Sequence, residues 1–175
     1  MKVLNIIKNV IVGILLVVYF SFVIFMTVLL LNFNDYGVTE FGSTSLIIIN
    51  DEISNDNYKK GDLVITKKQK IDKLQLGEDI FAYKVDAKGN VSIDLGKLGN
   101  IYPEENSISF ENGSNFSMDY VAGVPTKVHP KIGTPLAIIE SKWGFLFIVL
   151  VPSFLIFIYE VYSLIVEIKY GKDEE

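Results

Sequence analysis

The chain offers hydroxyl, lysine and carboxylate side chains for chemistry, and little else. It has no Cys and a single His among 175 residues, which excludes disulfides, thiolate nucleophiles and multi-histidine metal sites. All 16 basic residues are Lys, so the bidentate phosphate and carboxylate clamps that Arg forms are not in use. The net charge of −5 provides no electrostatic footprint for nucleic acid. We expect no cofactor and no metal, and any catalysis would use Ser, Lys or a carboxylate.

Three polar groupings have a simpler explanation than a binding site. Asp51, Glu52 and Asp56 lie close together, but the glycine and the terminal glutamate of a calcium loop are absent. His129 precedes a proline near the second apolar segment, and we interpret it as a surface residue. The six lysines within residues 59–73 could bind anionic lipid headgroups, yet their alternation with apolar residues favours a strand with one solvated face.

Two long apolar segments frame the chain. Residues 10–31 carry no charge, and a helix of this length spans roughly 30 Å, the thickness of a bilayer core. The segment is longer than the core of a signal peptide, so we interpret it as an uncleaved anchor. Residues 143–166 form the second segment, with Pro152 inside it and Glu160 late in it. A carboxylate at the bilayer centre costs on the order of 3 kcal/mol, which favours an interfacial place for Glu160.

The lysines outside these segments predict the orientation of the chain. Lys2 and Lys8 precede the first segment, and Lys169 and Lys172 follow the second, so both termini are expected in the cytoplasm. The predicted parts are a cytoplasmic N-terminus (1–9), a transmembrane helix (10–31), an extracytoplasmic domain (32–142), a second transmembrane helix (143–166) and a cytoplasmic tail (167–175). The sequence therefore predicts a multi-pass cell-membrane protein that contacts membrane lipid.

The central domain is predicted to be mainly β. Short runs rich in Val, Ile, Tyr and Phe recur between clusters of Gly, Asn and Asp, which is typical of strands separated by turns. The predicted strands cover residues 45–49, 62–67, 79–85, 91–95, 107–110 and 120–124. The third and fourth strands are separated by residues 86–90, which predicts a hairpin with a longer loop. No amphipathic helix of ten or more residues is expected in this domain.

The order of several short motifs resembles the signal peptidase I family, and most closely the branch shared by the endoplasmic reticulum, archaeal and SipW-like enzymes. An apolar strand is followed by G-D-L-V at 61–64 and by G-E-D-I-F-A-Y at 77–83, and the segment after residue 123 is similar to the family's C-terminal pattern. The residues at the family's motif positions are Gly61, Asp62, Gly77, Gly133, Gly144, Pro152 and Glu160.

The resemblance implies a two-span protein with a signal-peptidase-like β domain and a serine endopeptidase activity that removes signal peptides at the outer membrane face. It places Glu52 at the position of the nucleophilic Ser, Ile93 at that of the His base, and Ser114 at that of the acidic loop residue. The attacking hydroxyl and its base act as a unit in acyl transfer, so losing both removes most of the rate. We therefore predict a protein without peptidase activity.

A displaced catalytic pair is the alternative. Ser54 follows Glu52 by two residues, and Ser45, like Ser43, comes shortly before it, so one of these hydroxyls could serve as the nucleophile. Lys84, or Lys97, would then be the base, as in the other bacterial branch of the family, although neither lies in the expected Lys-Arg pair. Surface hydroxyls and solvated strand lysines account for the same residues more simply.

The sequence is compatible with three functions. The first is a catalytically inactive signal-peptidase-like protein that binds or presents translocated precursor segments by β-addition, alone or beside an active signal peptidase. The second is an active membrane-bound peptidase with a displaced Ser. The third is a structural subunit of a secretion or surface-assembly complex. The Lys-only, Asn- and Ile-rich composition is compatible with an AT-rich bacterium.

Overall fold

A computed structural model describes residues 2–86 and 88–170, which divide into a helical unit and a sheet unit. The helical unit consists of Met1–Met26 and Ile138–Glu175, and the sheet unit of Thr27–Ala137. Ala87 of the predicted hairpin turn and Lys172 of the predicted tail lie outside the described residues.

Two long apolar helices dominate the helical unit. Helix α1 covers Lys2–Leu31; helix α3 (Lys142–Phe145) continues through a π-helical turn (Leu146–Leu150) into α4 (Val151–Tyr170). Within these helices, Ile6–Leu31 and Lys142–Lys169 are long and apolar enough to cross a membrane. In the sequence they flank the sheet unit, as the two predicted spans do.

The π-helical turn lies directly before Pro152. A proline has no N–H to donate and its ring crowds the preceding turn of the helix, so a wider turn accommodates it without a break. The same region packs against α1, because the Tyr19 hydroxyl donates to the Val149 carbonyl at 2.8 Å and lies 2.9 Å from the Ser153 hydroxyl. These contacts satisfy polar groups inside an apolar helix pair.

Eight antiparallel strands form one curled sheet in the sheet unit. They are β1 (Thr39–Phe41), β2 (Thr44–Ile48), β3 (Leu63–Lys67), β4 (Asp79–Val85), β5 (Val91–Tyr102), β6 (Ser107–Phe110), β7 (Asn115–Ser117) and β8 (Val121–His129). Their order across the sheet is β1-β2-β3-β8-β4-β5-β6-β7. Strand β8 therefore lies between β3 and β4 and joins the first part of the sheet to the second. Helix α2 (Gly133–Glu140) follows β8.

The predicted hairpin is confirmed, because β4 and β5 pair antiparallel from Asp79↔Lys97 to Val85↔Val91. The prediction that the fourth strand ends at residue 95 is wrong, since β5 continues to Tyr102. Gly96 lies within β5 and does not form a turn. A Cβ at this position would collide with the Phe110 ring, so glycine allows β6 to pack close to β5. Strands β1 and β7 were not predicted; each has only three residues.

The alternation of side chains along β4 gives the sheet unit two apolar clusters. Phe81 and Tyr83 belong to the first cluster, with Ile47, Val64 and other residues of the early strands. On the opposite face of the strand, Ile80 and Ala82 belong to the second cluster, whose other members come largely from β5 to β8. Successive residues of a strand face opposite sides, so β4 contributes to both clusters.

Candidate functional site

Glu52, which the resemblance places at the position of a nucleophilic Ser, lies in an exposed turn after β2. The backbone N–H groups of Glu52 and Ile53 donate to Oδ1 of Asn50 at 3.1 and 3.2 Å, a side-chain-to-backbone pattern that defines the turn. The Glu52 side chain is exposed, and Ser54 donates its hydroxyl proton to the Asp51 carbonyl at 3.1 Å. Within the described chain, no basic side chain hydrogen-bonds Ser54.

Ile93, which the resemblance places at the position of the base, has apolar surroundings. Ile93 on β5 lies opposite Tyr83 and packs against the first apolar cluster. Ile53, the neighbour of Glu52, is buried in the same cluster. The turn that contains Glu52 and Ile53 and strand β5 therefore meet at one cluster through hydrocarbon side chains, which cannot accept a proton.

Ser45 on β2 and Lys97 on β5, two candidates for a displaced catalytic pair, both make contacts within the sheet unit. Ser45 is 1% exposed and donates its hydroxyl proton to the Ala122 carbonyl at 3.5 Å. A hydroxyl buried in this way cannot reach a substrate carbonyl. Ser43 lies in the exposed turn between β1 and β2, and Lys97 forms an ion pair with Asp79 at 3.4 Å.

Two of the other predicted residues, Lys84 and Ser114, line the same cleft. We call it the edge cleft; its volume is about 450 Å³. It brings together an exposed lysine, two serine hydroxyls, an amide and three aromatic rings. The lining residues are Tyr83, Lys84, Val85, Ser114, Asn115, Phe116, Ser117 and Tyr120. Glu52, Ser54, Ser45 and Ile93 do not line it.

The edge cleft lies between two strand edges. Strand β8 pairs with β4 only at Phe81 and Ala82, where the register shifts, and leaves that edge of β4 unpaired at residues 83–85. Strand β7 pairs with β6 on one side, and no described strand pairs with its other side. Because residues 83–85 and 115–117 both line the cleft, an unpaired edge stands on each side of it. Unpaired edges of this kind accept an additional strand.

A tyrosine network supports one wall of the edge cleft. The Tyr83 hydroxyl accepts a hydrogen bond from Asn34 Nδ2 at 3.1 Å and donates to Glu40 Oε2 at 3.4 Å. Asn34 in turn donates to the same Glu40 oxygen at 2.9 Å. Burial of the phenol raises the pKa of Tyr83, whereas the hydrogen bond that the phenol accepts from Asn34 acts in the opposite direction. The neutral phenol is thus held in place as a donor to Glu40.

The aromatic members of the cleft were not singled out from the sequence. Phe116 is half-buried on β7 and belongs to the edge of the second apolar cluster, and Tyr120 is exposed in the 3₁₀ turn Met118–Tyr120. The available signal was the alternation of Phe116 and Met118 with polar residues, which is typical of a short strand entering a core.

Three of the family motif residues meet at a second place, which we call the Asp62 junction. The buried Asp62 carboxylate accepts hydrogen bonds from the backbone N–H groups of Lys59 at 3.0 Å and Lys131 at 3.1 Å. A Cβ on Gly133 would lie 2.6 Å from the Asp62 carbonyl oxygen and 2.9 Å from that of Gly61. The start of α2 is therefore held against the turn before β3 by close packing at Asp62, Gly61 and Gly133.

A lysine-lined cleft of about 450 Å³ lies beside the Asp62 junction. Lys59, Lys60 and Lys131 line it, and Lys60 forms an exposed ion pair with Asp51 at 2.6 Å. The prediction that the lysines of residues 59–73 line the solvated face of a strand is wrong. Of these six lysines only Lys67 lies on β3, and the other residues of that strand are buried or half-buried. Among residues 2–86 and 88–170, no group of three His, Asp or Glu side chains is arranged to hold a metal.

The remaining motif residues shape turns and helix ends. Gly77 lies in the turn before β4, and its N–H donates to the Leu98 carbonyl at 2.8 Å. Gly144 lies against the Ile138 carbonyl, where a Cβ would collide, and its N–H donates to the capping Ser141 hydroxyl at 2.9 Å. His129 is half-buried opposite Leu63 at the end of β8, away from the edge-cleft lining.

The helical unit contains a groove of about 280 Å³ between α1 and α4, which we call the helix groove. Its lining is apolar apart from one carboxylate and the Tyr159 hydroxyl. The residues are Val12, Leu16, Leu155, Ile156, Tyr159 and Glu160. The Glu160 side chain is exposed in the groove, and the described part of the chain gives it no ion-pair partner.

No family model, curated protein or solved structure matches this chain. The fold is therefore described by its own topology, an eight-stranded antiparallel curled sheet flanked in sequence by two apolar helices.

Proposed function

We propose that the protein is a membrane-anchored, signal-peptidase-like protein that binds extended segments of translocated precursors without cleaving them. The observation that carries the proposal is the edge cleft, a strand-sized space between the unpaired edges of β4 and β7. In this proposal the two apolar helices span the cell membrane and the sheet unit lies on the outer side, where translocated segments emerge.

The cleft has the parts that strand addition requires. Residues 83–85 and 115–117 each form an edge of three residues, and an extended chain covers about 10 Å over that length. Backbone hydrogen bonds to such edges give affinity that is independent of side chains, and pockets beside them give selectivity. Tyr83, Phe116 and Tyr120 provide apolar contact for alternate side chains of the bound segment, and Lys84 provides a cation at the rim.

The surroundings of the candidate groups support the proposal that the protein does not hydrolyse its ligand. Ser45 is buried, Ser54 donates to a backbone carbonyl in an exposed turn, and Ile93 replaces the base. A serine peptidase needs its hydroxyl within hydrogen-bond reach of a group that removes the proton. A protein of this kind would hold a precursor segment or present it to an active signal peptidase. A structural subunit of a secretion complex would use the same edge cleft to bind its partner.

The edge cleft also supports a second candidate, a serine hydrolase that uses Ser114 with Lys84 as the base. Its support is that both side chains line one cleft. A lysine acts as a general base when it is desolvated, and Lys84 is exposed, so we place this candidate second.

Both candidates can be tested with the full chain in lipid nanodiscs and fluorescent peptides that carry a signal-peptide cleavage region. Asn115→Trp fills the edge cleft, and Asn100→Trp places the same ring at an exposed position of β5 outside the cleft lining as a control. We expect the Asn115→Trp variant to bind at least about fivefold more weakly and the control to bind like the wild type, with every peptide mass unchanged. Cleavage that Ser114→Ala abolishes would establish the second candidate. Equal binding by both tryptophan variants would contradict the proposed site.

A further inference from the structure

Three Asn-X-Ser tripeptides lie in the sheet unit, at residues 90–92, 112–114 and 115–117. This tripeptide is the acceptor sequence for N-linked glycans, provided that its middle residue is not Pro; here the middle residues are Val, Gly and Phe. An acceptor must also lie on the surface of a protein part that is outside the cytoplasm. The asparagine of each tripeptide is exposed, so the surroundings of the three amide groups distinguish them.

Asn112 combines the acceptor sequence with an uncrowded turn. It lies between β6 and β7, where its Oδ1 accepts a hydrogen bond from the Ser114 backbone N–H at 2.9 Å. In the described part of the chain, the Asn112 Nδ2 donates to no other group. A Cβ on Gly113 would meet nothing within 4 Å, so the space beside the turn is open. The amide nitrogen that a glycan would occupy is therefore accessible in the folded protein.

The other two asparagines are less suitable. The Asn90 Nδ2 already donates to Asp86 Oδ2 at 2.7 Å. Asn115 begins β7, where it pairs with Ser109, and it lines the edge cleft, so a glycan on its side chain would take up space in the cleft. Of the three acceptor sequences, the one at Asn112 is thus the one whose modification disturbs neither a hydrogen bond nor the lining of the cleft.

We propose that Asn112 carries an N-linked glycan, which an oligosaccharyl transferase adds at the outer face of the membrane. The co-substrate is an oligosaccharide joined through phosphate to a membrane lipid. The Asn112 Nδ2 forms a bond to C1 of the first sugar while the bond from C1 to the phosphate oxygen breaks. The lipid phosphate leaves with the electron pair of that bond, and a base of the transferase takes one proton from Nδ2. The inference goes beyond peptide binding, and it rests on the outer location that the proposed function gives to the sheet unit.

The test uses the full chain purified from the membranes of its own cells. Cleavage after Lys releases residues 98–127 as one peptide, which contains Asn112 and Asn115, and residues 89–97 as another, which contains Asn90. We expect mass spectrometry to find the added mass of whole sugar units on the 98–127 peptide, and fragmentation to place that mass on Asn112. Sugar on Asn90 or Asn115 in place of Asn112 would overturn the inference.

Substitutions in the same cells separate the acceptor sequence from the rest of the turn. Asn112→Gln removes the asparagine and Ser114→Ala removes the hydroxyl, so each should abolish the glycan at residue 112. Ser114→Thr restores an acceptor sequence and should retain the glycan. Asn100→Gln is the matched control: it changes an exposed Asn of β5 in the same peptide, outside any acceptor sequence, and should be modified like the wild type. Equal modification of Ser114→Ala and the wild type would contradict the inference.

A second measurement distinguishes failure of this inference from failure of the proposed function. The chain has no Cys, so Glu104→Cys in the exposed turn between β5 and β6 provides a single site for a membrane-impermeant maleimide. We expect the reagent to label this variant on intact cells. Labelling together with an unmodified 98–127 peptide would leave the proposed function standing and show that the inference is wrong. Labelling only after the membrane is permeabilised would place the sheet unit in the cytoplasm, and both would then be wrong.

Discussion

The ring of Tyr36 stacks on the ring of Tyr83, with centroids 4.3 Å apart and ring planes at 9° to each other. Tyr36 comes from the segment between α1 and β1, so this contact attaches that segment to β4. Tyr120 meets Tyr36 edge-on, with centroids 6.1 Å apart. Since Tyr83 and Tyr120 also line the edge cleft, the stack holds one wall of the cleft in position.

We expect Tyr36→Ala to lower the free energy of unfolding by about 2 kcal/mol, because a half-buried ring and its stacking contact are lost. Tyr36→Phe should stay within about 0.5 kcal/mol of the wild type, since the stacked ring is retained. The measurement is denaturant unfolding of the full chain in detergent micelles, followed by near-ultraviolet circular dichroism. Tyr102→Ala, which removes an exposed ring from β5, is the control; equal losses for the two alanine variants would contradict the role of the stack.

The stability of the sheet unit should depend on Tyr58 at high pH. Its hydroxyl donates to Asp79 Oδ2 at 3.1 Å, and burial, followed by the charge of Asp79, raises the pKa of Tyr58 from 10.0 to about 12. The folded state thus favours the neutral phenol. This contribution is complete below pH 10 and decreases as the pH rises toward 12, by roughly 2 kcal/mol.

The matched comparison for Tyr58 is Tyr58→Phe, which cannot ionise. The difference in unfolding free energy between wild type and variant should be constant between pH 8 and 9.5 and should fall above pH 10. If the two stability curves ran parallel up to pH 11.5, the phenol of Tyr58 would not be held in its neutral form by the fold.

Gly133→Ala should destabilise the chain by about 2 kcal/mol, because the new methyl group must displace backbone oxygens of the Asp62 junction. Gly13→Ala provides the control on α1, where a Cβ would meet nothing within 4 Å. Melting temperatures of the two variants in the same detergent compare the effects directly. A Gly133→Ala protein as stable as Gly13→Ala would show that the start of α2 can shift without cost.

Asp62→Ala should cost about 2–4 kcal/mol, because two backbone N–H groups lose a buried charged acceptor. Asp62→Asn keeps one acceptor oxygen and should cost less than Asp62→Ala. The exposed carboxylate of Asp51 offers a contrast: its ion pair with Lys60 lies in solvent, so Asp51→Ala should change stability by no more than about 0.5 kcal/mol. The measurement is urea unfolding of each variant. A change in the midpoint urea concentration with an unchanged m-value reports a change in stability.

Removing the serine hydroxyls should leave binding intact if the protein does not cleave its ligand. We expect Ser54→Ala and Ser114→Ala to bind the cleavage-region peptide within about twofold of the wild type, because neither replacement closes the edge cleft. Mass spectrometry of the peptide after long incubation reports any hydrolysis. A product formed by the wild type but not by one of these variants would identify that serine as a nucleophile.

The regular part of the sheet could be predicted from the sequence because its strands alternate and end at turn residues. Residues 79–85 and 107–110 coincide with β4 and β6. Short runs of β-branched and aromatic residues bounded by turn residues are typical of strands. The extent of β5 could not be predicted, because Gly96 has the same sequence signature in a turn and in a strand that a neighbouring ring approaches. The distinction depends on Phe110, which is 14 residues away.

The candidate site was only partly predictable for a related reason. Lys84 and Ser114 could be named by residue type, but the cleft that unites them depends on where β8 stops pairing with β4. The β4–β8 pairing ends at a register shift between Phe81 and Ala82. The local sequence contains no pattern that predicts this shift. The apolar surroundings of Ile93 could not be predicted locally either, because the cluster against which it packs includes residues of β2, β3 and β8.

Strand β4 places alternate residues in two separate apolar clusters. Because both clusters depend on β4, the loss of either one removes part of the packing that holds this strand for the other. The sheet unit should consequently unfold in one cooperative step, and the amide protons of β4 should be the slowest in the unit to exchange with solvent. A ligand strand added at residues 83–85 would join this most protected element, so binding should retard hydrogen exchange on both faces of the sheet at once.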